Sequence, residues 1–451
     1  MSKSDSIKTD MLHGAPGRAM LFFAVPMILG NLFQQLYNIM DSVIVGRYVG
    51  EEALASVGAS YSITNVFIAI AIGGGIGSSV IASQFLGARQ YSKMKSAIST
   101  TLINFLGLGI LLAAVGLLLN DSILHWMNTP DNVFGDAALY LRIYFMGLPF
   151  LFMYNVQASV FNSMGDSVTP LLLLIFSSLL NVILDLYFVL VMDMAVAGVA
   201  IATLIAQGVS AVLSFTVLMR KLHRYQDDGV FTYYDIKTVP GMLKIALPST
   251  IQQSIVNVGM LMVQSVVNGF GSSVMAGYAA GTRIESICIV PMLAMGNAMS
   301  TFTAQNIGAG QTQRVSKGYR SCYLMIGTAA LSLCVLMQLF GAEFVRMFMG
   351  EEAGSVAIQT GLDYVRFISF FYIFIGLKAT TDGLLRGAGD VLVFTLANLI
   401  NLSIRVFVAF HFVSVWGVQA VWWAIPMGWS ANYLISFCRY LTGKWKVIHL
   451  V

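Results

Sequence analysis

Charge is what this sequence lacks. Acidic and basic residues together make up 10% of the 451 residues, while 57% are hydrophobic. Soluble domains carry about 25% charged residues, so a water-soluble fold is excluded and a polytopic membrane protein is expected. The net charge of +4 is too small and too dispersed for a nucleic-acid partner, and the lipid bilayer is the expected one. Cysteine is also sparse: Cys288, Cys322, Cys334 and Cys438 show no CxxC spacing and sit mostly in apolar runs. They read as small buried hydrophobes rather than redox or metal centres. His13, His125, His223, His411 and His449 are scattered without metal-ligand spacing. No stretch is long enough for an appended soluble domain, which argues against a sensor. The first 18 or so residues are polar, unlike the short charged region of a cleaved signal peptide, so the first apolar segment is expected to stay in the mature chain.

What is present is a succession of apolar stretches, at 19–45, 53–83, 96–119, 137–160, 168–191 and 195–219, then at 241–267, 274–302, 319–341, 358–382, 391–413 and 416–439. Each is long enough to span a bilayer, for which roughly 20 apolar residues suffice. The expected fold is therefore all-α, with twelve transmembrane helices in two six-helix lobes. Residues 1–219 form the first lobe, 220–240 a cytoplasmic linker and 241–451 the second. Most of the 25 basic residues, among them Arg89, Lys93, Lys95, Arg220, Lys221, Arg314, Lys317, Arg439 and Lys444, fall on one side of this arrangement. By the positive-inside rule that side is cytoplasmic, and so are both termini.

The halves repeat. Ala24-Val25-Pro26 returns as Ala246-Leu247-Pro248, and ASQFLGARQ at 82–90 as TAQNIGAGQ at 303–311. NSMGD at 162–166 returns as RGAGD at 386–390, and the segment from Asn181 to Asp185 as Asn401 to Arg405. The matches keep their order at nearly constant offset. Six helices is an even number, so the halves enter the membrane in the same sense, a parallel repeat that places a substrate site between them.

Ionisable residues inside apolar segments are the functional candidates, because each costs about 2.5–3.5 kcal/mol at membrane depth. Asp41 stands in the first segment beyond Pro26, which is expected to kink that helix. Asn181 and Asp185, four apart, share one face of helix five. Helical rise puts both carboxylates roughly 8–12 Å below the external surface. Burial of neighbouring carboxylates favours the protonated form, so such a pair can hold a proton near neutral pH. Asn181 is expected to orient Asp185, and Gln34, Tyr37, Asn155 and Tyr154 to line the same cavity. In the second half, Arg405 takes the repeat position of Asp185. Lys378 and Asp382 form an i,i+4 pair, and Arg283 and Glu285 lie in helix eight. This charged cluster is expected to pair Arg405 with Glu285 or Asp382 and to leave that lobe hostile to sodium. The 25 methionines and 29 phenylalanines suit an adaptable, apolar substrate surface. Two enzyme-like strings fail. The glycines at 73–77 lack a following Lys-Ser/Thr and read as helix packing. Gly387-Ala388-Gly389-Asp390, like the GxGD of intramembrane aspartyl proteases, sits in a turn with a repeat counterpart at Gly165-Asp166.

Together, the run from Pro26 to Asp41 and Gly46, the QFLGARQ/QNIGAGQ and MGD/AGD pairs, and Asn181 with Asp185 resemble the multidrug and toxic compound extrusion (MATE) family. The resemblance covers about residues 15–442. It implies an antiporter, not an enzyme, that expels organic cations or amphiphiles in exchange for protons, or for sodium, by alternating access. It also implies a bacterial-type inner or plasma membrane location, a monomer, and no cofactor or bound metal beyond the coupling ion. The family's helix-one acid matches Asp41 and its helix-five pair matches Asn181 and Asp185. In the NorM-like branch a second cation site uses acids whose places here hold Val256 and Ile375, so the sequence looks closer to DinF-like members. A flippase for a lipid-linked or amphiphilic molecule is the alternative, with Arg283, Lys378 and Arg405 to meet a phosphate.

Overall fold

The computed structural model describes residues 11–127, 129–349 and 354–447; the side chains of 41–43, 51–55, 59, 61, 62 and 255–257 lie outside that description. Among the described residues every regular element is a helix. The first half holds α1 (Pro16–Ile44), α2 (Glu51–Gly87), α3 (Tyr91–Trp126), α4 (Asp131–Ser163), α5 (Val168–Leu186) and α6 (Ala195–Leu222). The second holds α7 (Val239–Asn268), α8 (Ser272–Cys288), α9 (Val290–Gly308), α10 (Thr312–Met349), α11 (Ser355–Ser369), α12 (Tyr372–Ala388), α13 (Val391–Trp416) and α14 (Gln419–Leu441).

Two predicted spans are broken. The segment at 274–302 divides into α8 and α9 at Ile289, where Pro291 stands in the first turn of α9 and cannot donate back. The segment at 358–382 divides into α11 and α12, bent by 52°. There Phe370 and Phe371 close i→i−3 bonds to Phe367 and Ile368 instead of continuing the helical ladder. With Ser272–Gly308 counted as one span, nine helical spans are long and apolar enough to cross a membrane among the described residues, and ten when the bent α11–α12 pair is counted as one more. α7 and α14, at 30 and 23 residues, are of spanning length and complete the expected twelve.

Both repeated motifs are helix C-caps. Gly165 and Gly389 take the left-handed conformation, with φ of 78° and 83°. Asp166 and Asp390 then donate their N–H groups back to Phe161 and Leu385 at 3.0 and 2.8 Å, the closing bond of a Schellman turn. Arg89 and Gly310 do the same after α2 and α9, with φ of 58° and 70°. The aspartate of each MGD/AGD turn is also tied to a cation at the end of a later helix. Lys221 pairs with Asp166, and Arg439 donates to Asp390 through two nitrogens, at 2.5 and 3.2 Å. Burial opposes the charge of Asp166, but hydrogen bonds from Lys221 and Thr169 outweigh it and hold the carboxyl below its ordinary range. The GxGD string is thus a capped, ion-paired turn.

Packing groups the residues into one unit of 29–250 and another of 1–28 with 251–451. The divisions fall two residues beyond Pro26 in α1 and two beyond Pro248 in α7, rather than at the polar interval 220–240. The glycines at 73–77 give the reason in the first unit. A Cβ on Gly73 would lie 2.6 Å from the Cα of Thr250, and one on Gly77 would lie 2.6 Å from the Met242 carbonyl oxygen. Only glycines let α2 approach the start of α7 so closely. Gly74 meets Phe105 of α3, and Gly75 meets Ser159 of α4. In the second unit the start of α1 is held in the same manner. A Cβ on Gly17 would lie 3.1 Å from that of Ser321, and the Cys322 thiol reaches the Met20 sulfur at 3.4 Å. Just before α1, Arg314 binds the carbonyls of His13 and Gly14 at 2.8 and 2.7 Å, and Asn306 binds that of Met11 at 3.0 Å.

The interval between α6 and α7 is ordered onto α3. Asp227 accepts from the Ser92 backbone N–H at 3.0 Å and from its hydroxyl, capping the otherwise uncapped N-terminus of α3. One turn further along α3, Ser96 accepts from the Thr232 N–H at 2.9 Å, and at the next turn Thr100 accepts from the Asp235 N–H at 2.8 Å. Ser99 donates to the Tyr233 carbonyl at 2.7 Å. The linker is therefore laced along α3 by hydroxyls at i, i+4 and i+8.

Candidate functional site

α5 buries Ser178, Asn181 and Asp185 along one stripe, as helical spacing requires. Asp185 is 0% and Asn181 2% exposed. In the amide orientation that satisfies every neighbour, Asn181 donates to Asp185 Oδ2 at 3.3 Å and to the Tyr37 hydroxyl, and accepts from the Thr203 N–H at 3.1 Å. One amide therefore joins α5 to α1 through Tyr37 and to α6 through Thr203. Position 41 is four residues beyond Tyr37 in α1; the Asp41 side chain lies outside the described residues.

Both helices change character just beyond their acidic positions. α1 continues as a π-helical turn at Val45–Val49, and α5 as one at Tyr187–Val191. Val45 and Val189, one from each turn, pack together with Val196 and Val199 of α6. π-turns inside helices occur frequently at functional sites, and here a matched pair follows Asp41 and Asp185.

The remaining candidates separate. Gln34 is exposed, Tyr154 is half-buried on α4, and Asn155 turns its amide onto the Leu151 carbonyl of its own helix at 2.8 Å. Of the four expected cavity residues, the structure joins Tyr37 to the Asn181–Asp185 pair. Thr203 was not signalled by the sequence, since a threonine in an apolar helix usually bonds its own backbone.

The second unit holds two charged groups rather than the single expected cluster. Asp382, 3% exposed, pairs with Lys378 at 3.3 Å. It also accepts from Ser436 at 2.7 Å and from Asn398 at 3.1 Å, so both its oxygens are engaged within the unit. Glu285 accepts a hydrogen bond from the Tyr364 hydroxyl and interacts electrostatically with Arg405. Of the two anions expected for Arg405, Glu285 is the one it faces, and its Nε has no hydrogen-bond partner among the described residues. Arg283 is exposed and, among the described residues, joins neither group. Ile375 is an apolar buried residue of α12, while the Val256 side chain lies outside the described residues. Among the described residues no group of three or more His, Cys, Asp or Glu could hold a metal ion.

The MatE family model matches residues 26–187 and 248–411, one match in each half of the repeat. The chain is 30% identical over 443 residues to the probable multidrug resistance protein YpnP of Bacillus subtilis strain 168, covering 98% of both chains. It is 22% identical over 437 residues to the probable multidrug resistance protein NorM of Thermotoga maritima, covering 95% of this chain and 93% of that one. A MOP superfamily transporter from Pyrococcus furiosus shares the fold with a TM-score of 0.89 at 24% identity, over 98% of this chain and 99% of that one. The parallel repeat, the twelve spans and the matches in both halves agree: this multi-pass membrane protein belongs to the MatE family of multidrug and toxic compound extrusion transporters.

Proposed function

We propose that the protein is a secondary active exporter of organic cations and amphiphilic drugs, driven by protons bound in the unit of residues 29–250. The efflux role is supported by relatives named for multidrug resistance. The observation that carries the coupling assignment is the fully buried Asp185, held by an amide that also binds α1 and α6. An ionised Asp185 accepts from Asn181, whereas a protonated one offers a donor in its place. The Asn181 amide must then re-pair, and Tyr37 and Thr203 carry that change to α1 and α6. The π-turns beyond both acidic positions supply backbone that can repack. A proton at this site thereby favours one arrangement of α1 and α5 over another, the differential interaction that alternating access needs. Asp41 is assigned to the same proton site from its place in α1. Arg405, at the repeat position of Asp185, makes the second unit a poor host for sodium. The protein works as a monomer in a bacterial-type inner membrane, with both termini and the inter-lobe linker in the cytoplasm. A flippase for a phosphate-bearing amphiphile is the second reading, favoured by the Arg405 Nε, which has no hydrogen-bond partner among the described residues.

The test is ethidium efflux from energised cells carrying the wild type, Asp41→Asn or Asp185→Asn, with and without a proton uncoupler and with sodium removed. Loss of efflux in both variants and with uncoupler, but not without sodium, is the expected result. Sodium-dependent efflux that survives the uncoupler refutes proton coupling. Wild-type efflux no better than empty vector, together with lipid-analogue translocation abolished by Arg405→Ala, selects the flippase.

A further inference from the structure

The unit of residues 29–250 contains a large apolar groove that none of Tyr37, Asn181, Asp185 and Thr203 lines. It has a volume of about 710 Å³ and runs between α3 and α6, from Lys95 and His223 at one end to Leu106 and Phe215 at the other, with Phe231 and Tyr233 of the linker as a wall. Lys95 and Leu106 are separated by roughly 16 Å of helical rise, about half the thickness of a bilayer's hydrocarbon core. The groove therefore begins where a headgroup would lie and ends near the midplane. Among the described lining residues both charge-bearing types are basic, and no carboxylate is present. The Lys95 ammonium and the His223 imidazole at that mouth suit an anionic headgroup better than a cationic drug.

We propose that this groove is a binding site for one acyl chain of an anionic phospholipid of the cytoplasmic leaflet, whose phosphate rests on Lys95 and His223. Basic pockets between transmembrane helices on the cytoplasmic side are suited to anionic headgroups. The assignment of that end to the cytoplasm rests on the orientation proposed above. The occupant lies against the linker's Phe231 and Tyr233, while the hydroxyls of Ser96, Ser99 and Thr100 hold the same segment from the α3 side. The lipid thus completes the packing of the linker on α3.

Native mass spectrometry of the purified full chain, titrated with dioleoylphosphatidylglycerol or dioleoylphosphatidylcholine, tests this without requiring transport. The phosphatidylglycerol adduct is expected to survive at about tenfold lower lipid concentration than the phosphatidylcholine adduct. That preference falls by about fivefold in Lys95→Gln, which removes the lysine charge, and by a smaller factor in His223→Gln, which removes the imidazole hydrogen-bond donor to the phosphate. Lys93→Gln, an exposed neighbour outside the groove, leaves the preference unchanged. Equal retention of the two lipids overturns the proposal, as does an equal loss in Lys93→Gln, which would reveal diffuse surface attraction. Displacement of the bound lipid by ethidium overturns it in favour of a drug entry site. If a groove variant does not fold, protection of Lys95 but not Lys93 from acetylation by added phosphatidylglycerol supports the headgroup assignment, and equal labelling of Lys95 with either lipid refutes it.

Discussion

Replacing Gly77 by alanine tests whether α2 and α7 are held by backbone-to-backbone approach. The added Cβ would stand 2.6 Å from the Met242 carbonyl oxygen, 2.7 Å from the Ala246 nitrogen and 2.8 Å from its Cβ. The nearest obstacles are main-chain atoms, so no side-chain rotation relieves the clash, and the start of α7 must retreat by close to an ångström. Overpacking of this kind costs about 1–3 kcal/mol. Exchanging glycine for alanine within a helix returns about 0.5–1 kcal/mol, which leaves a net loss of about 1 kcal/mol at the middle of both ranges. Gly107 of α3 is the control, since a Cβ there meets nothing within 4 Å. Thermal unfolding of the purified protein in detergent, followed by circular dichroism, is expected to place Gly77→Ala a few degrees below the wild type and Gly107→Ala at or above it. Equal or higher stability of Gly77→Ala would refute the packing account of the glycine run.

Arg439→Ala strands the 5%-exposed Asp390 carboxylate and is expected to cost about 3 kcal/mol. Lys221→Ala, at the more exposed counterpart pair, is expected to cost about 1 kcal/mol; equal losses in thermal unfolding would contradict the burial argument. Arg89→Gly removes left-handed strain and is expected to stabilise by about 1 kcal/mol, while Gly310→Ala destabilises by a similar amount. The Ser92 hydroxyl and backbone N–H hold the Asp227 carboxyl below its ordinary value of 3.8. A depressed value means that the cap is intact above the unfolded pKa and is lost as pH falls through the folded one. Hydrogen exchange is therefore expected to find residues 229–235 protected at pH 5 and above, and released in Asp227→Ala. Release of wild-type protection near neutral pH would refute the cap.

Much of this is legible in the sequence alone. Apolar length and the repeated Pro26/Pro248 and MGD/AGD motifs carry the span count and the parallel repeat, because bilayer thickness and helix caps impose themselves locally. Helix five announced its polar face through a four-residue spacing that only one periodicity explains. The breaks were not legible. Pro291 lies so near the start of α9 that it resembles an ordinary kink, and the α11–α12 bend has no proline at all. Thr203 and Tyr364 escaped because their roles arise from tertiary neighbours across the sequence. Arg283, Glu285, Lys378, Asp382 and Arg405 looked like one cluster because sequence reports charge but not which helix face meets which. The unit boundaries were hidden for the same reason: a polar interval marks where chain is exposed, not where packing changes partners.

The positions of those boundaries mean that each half of the gene encodes a reciprocal donation. A chain cut within the linker would give one fragment that carries residues 1–28 of the other unit, and another that carries the start of α7 belonging to the first. Neither fragment completes a unit by itself. Expressed together, they must trade helical segments as a domain-swapped pair does, so complementation rather than independent folding is the natural outcome. In the intact chain the passages between units are the interiors of α1 and α7 beside their prolines, which leaves the linker free to serve as a fastening within one unit.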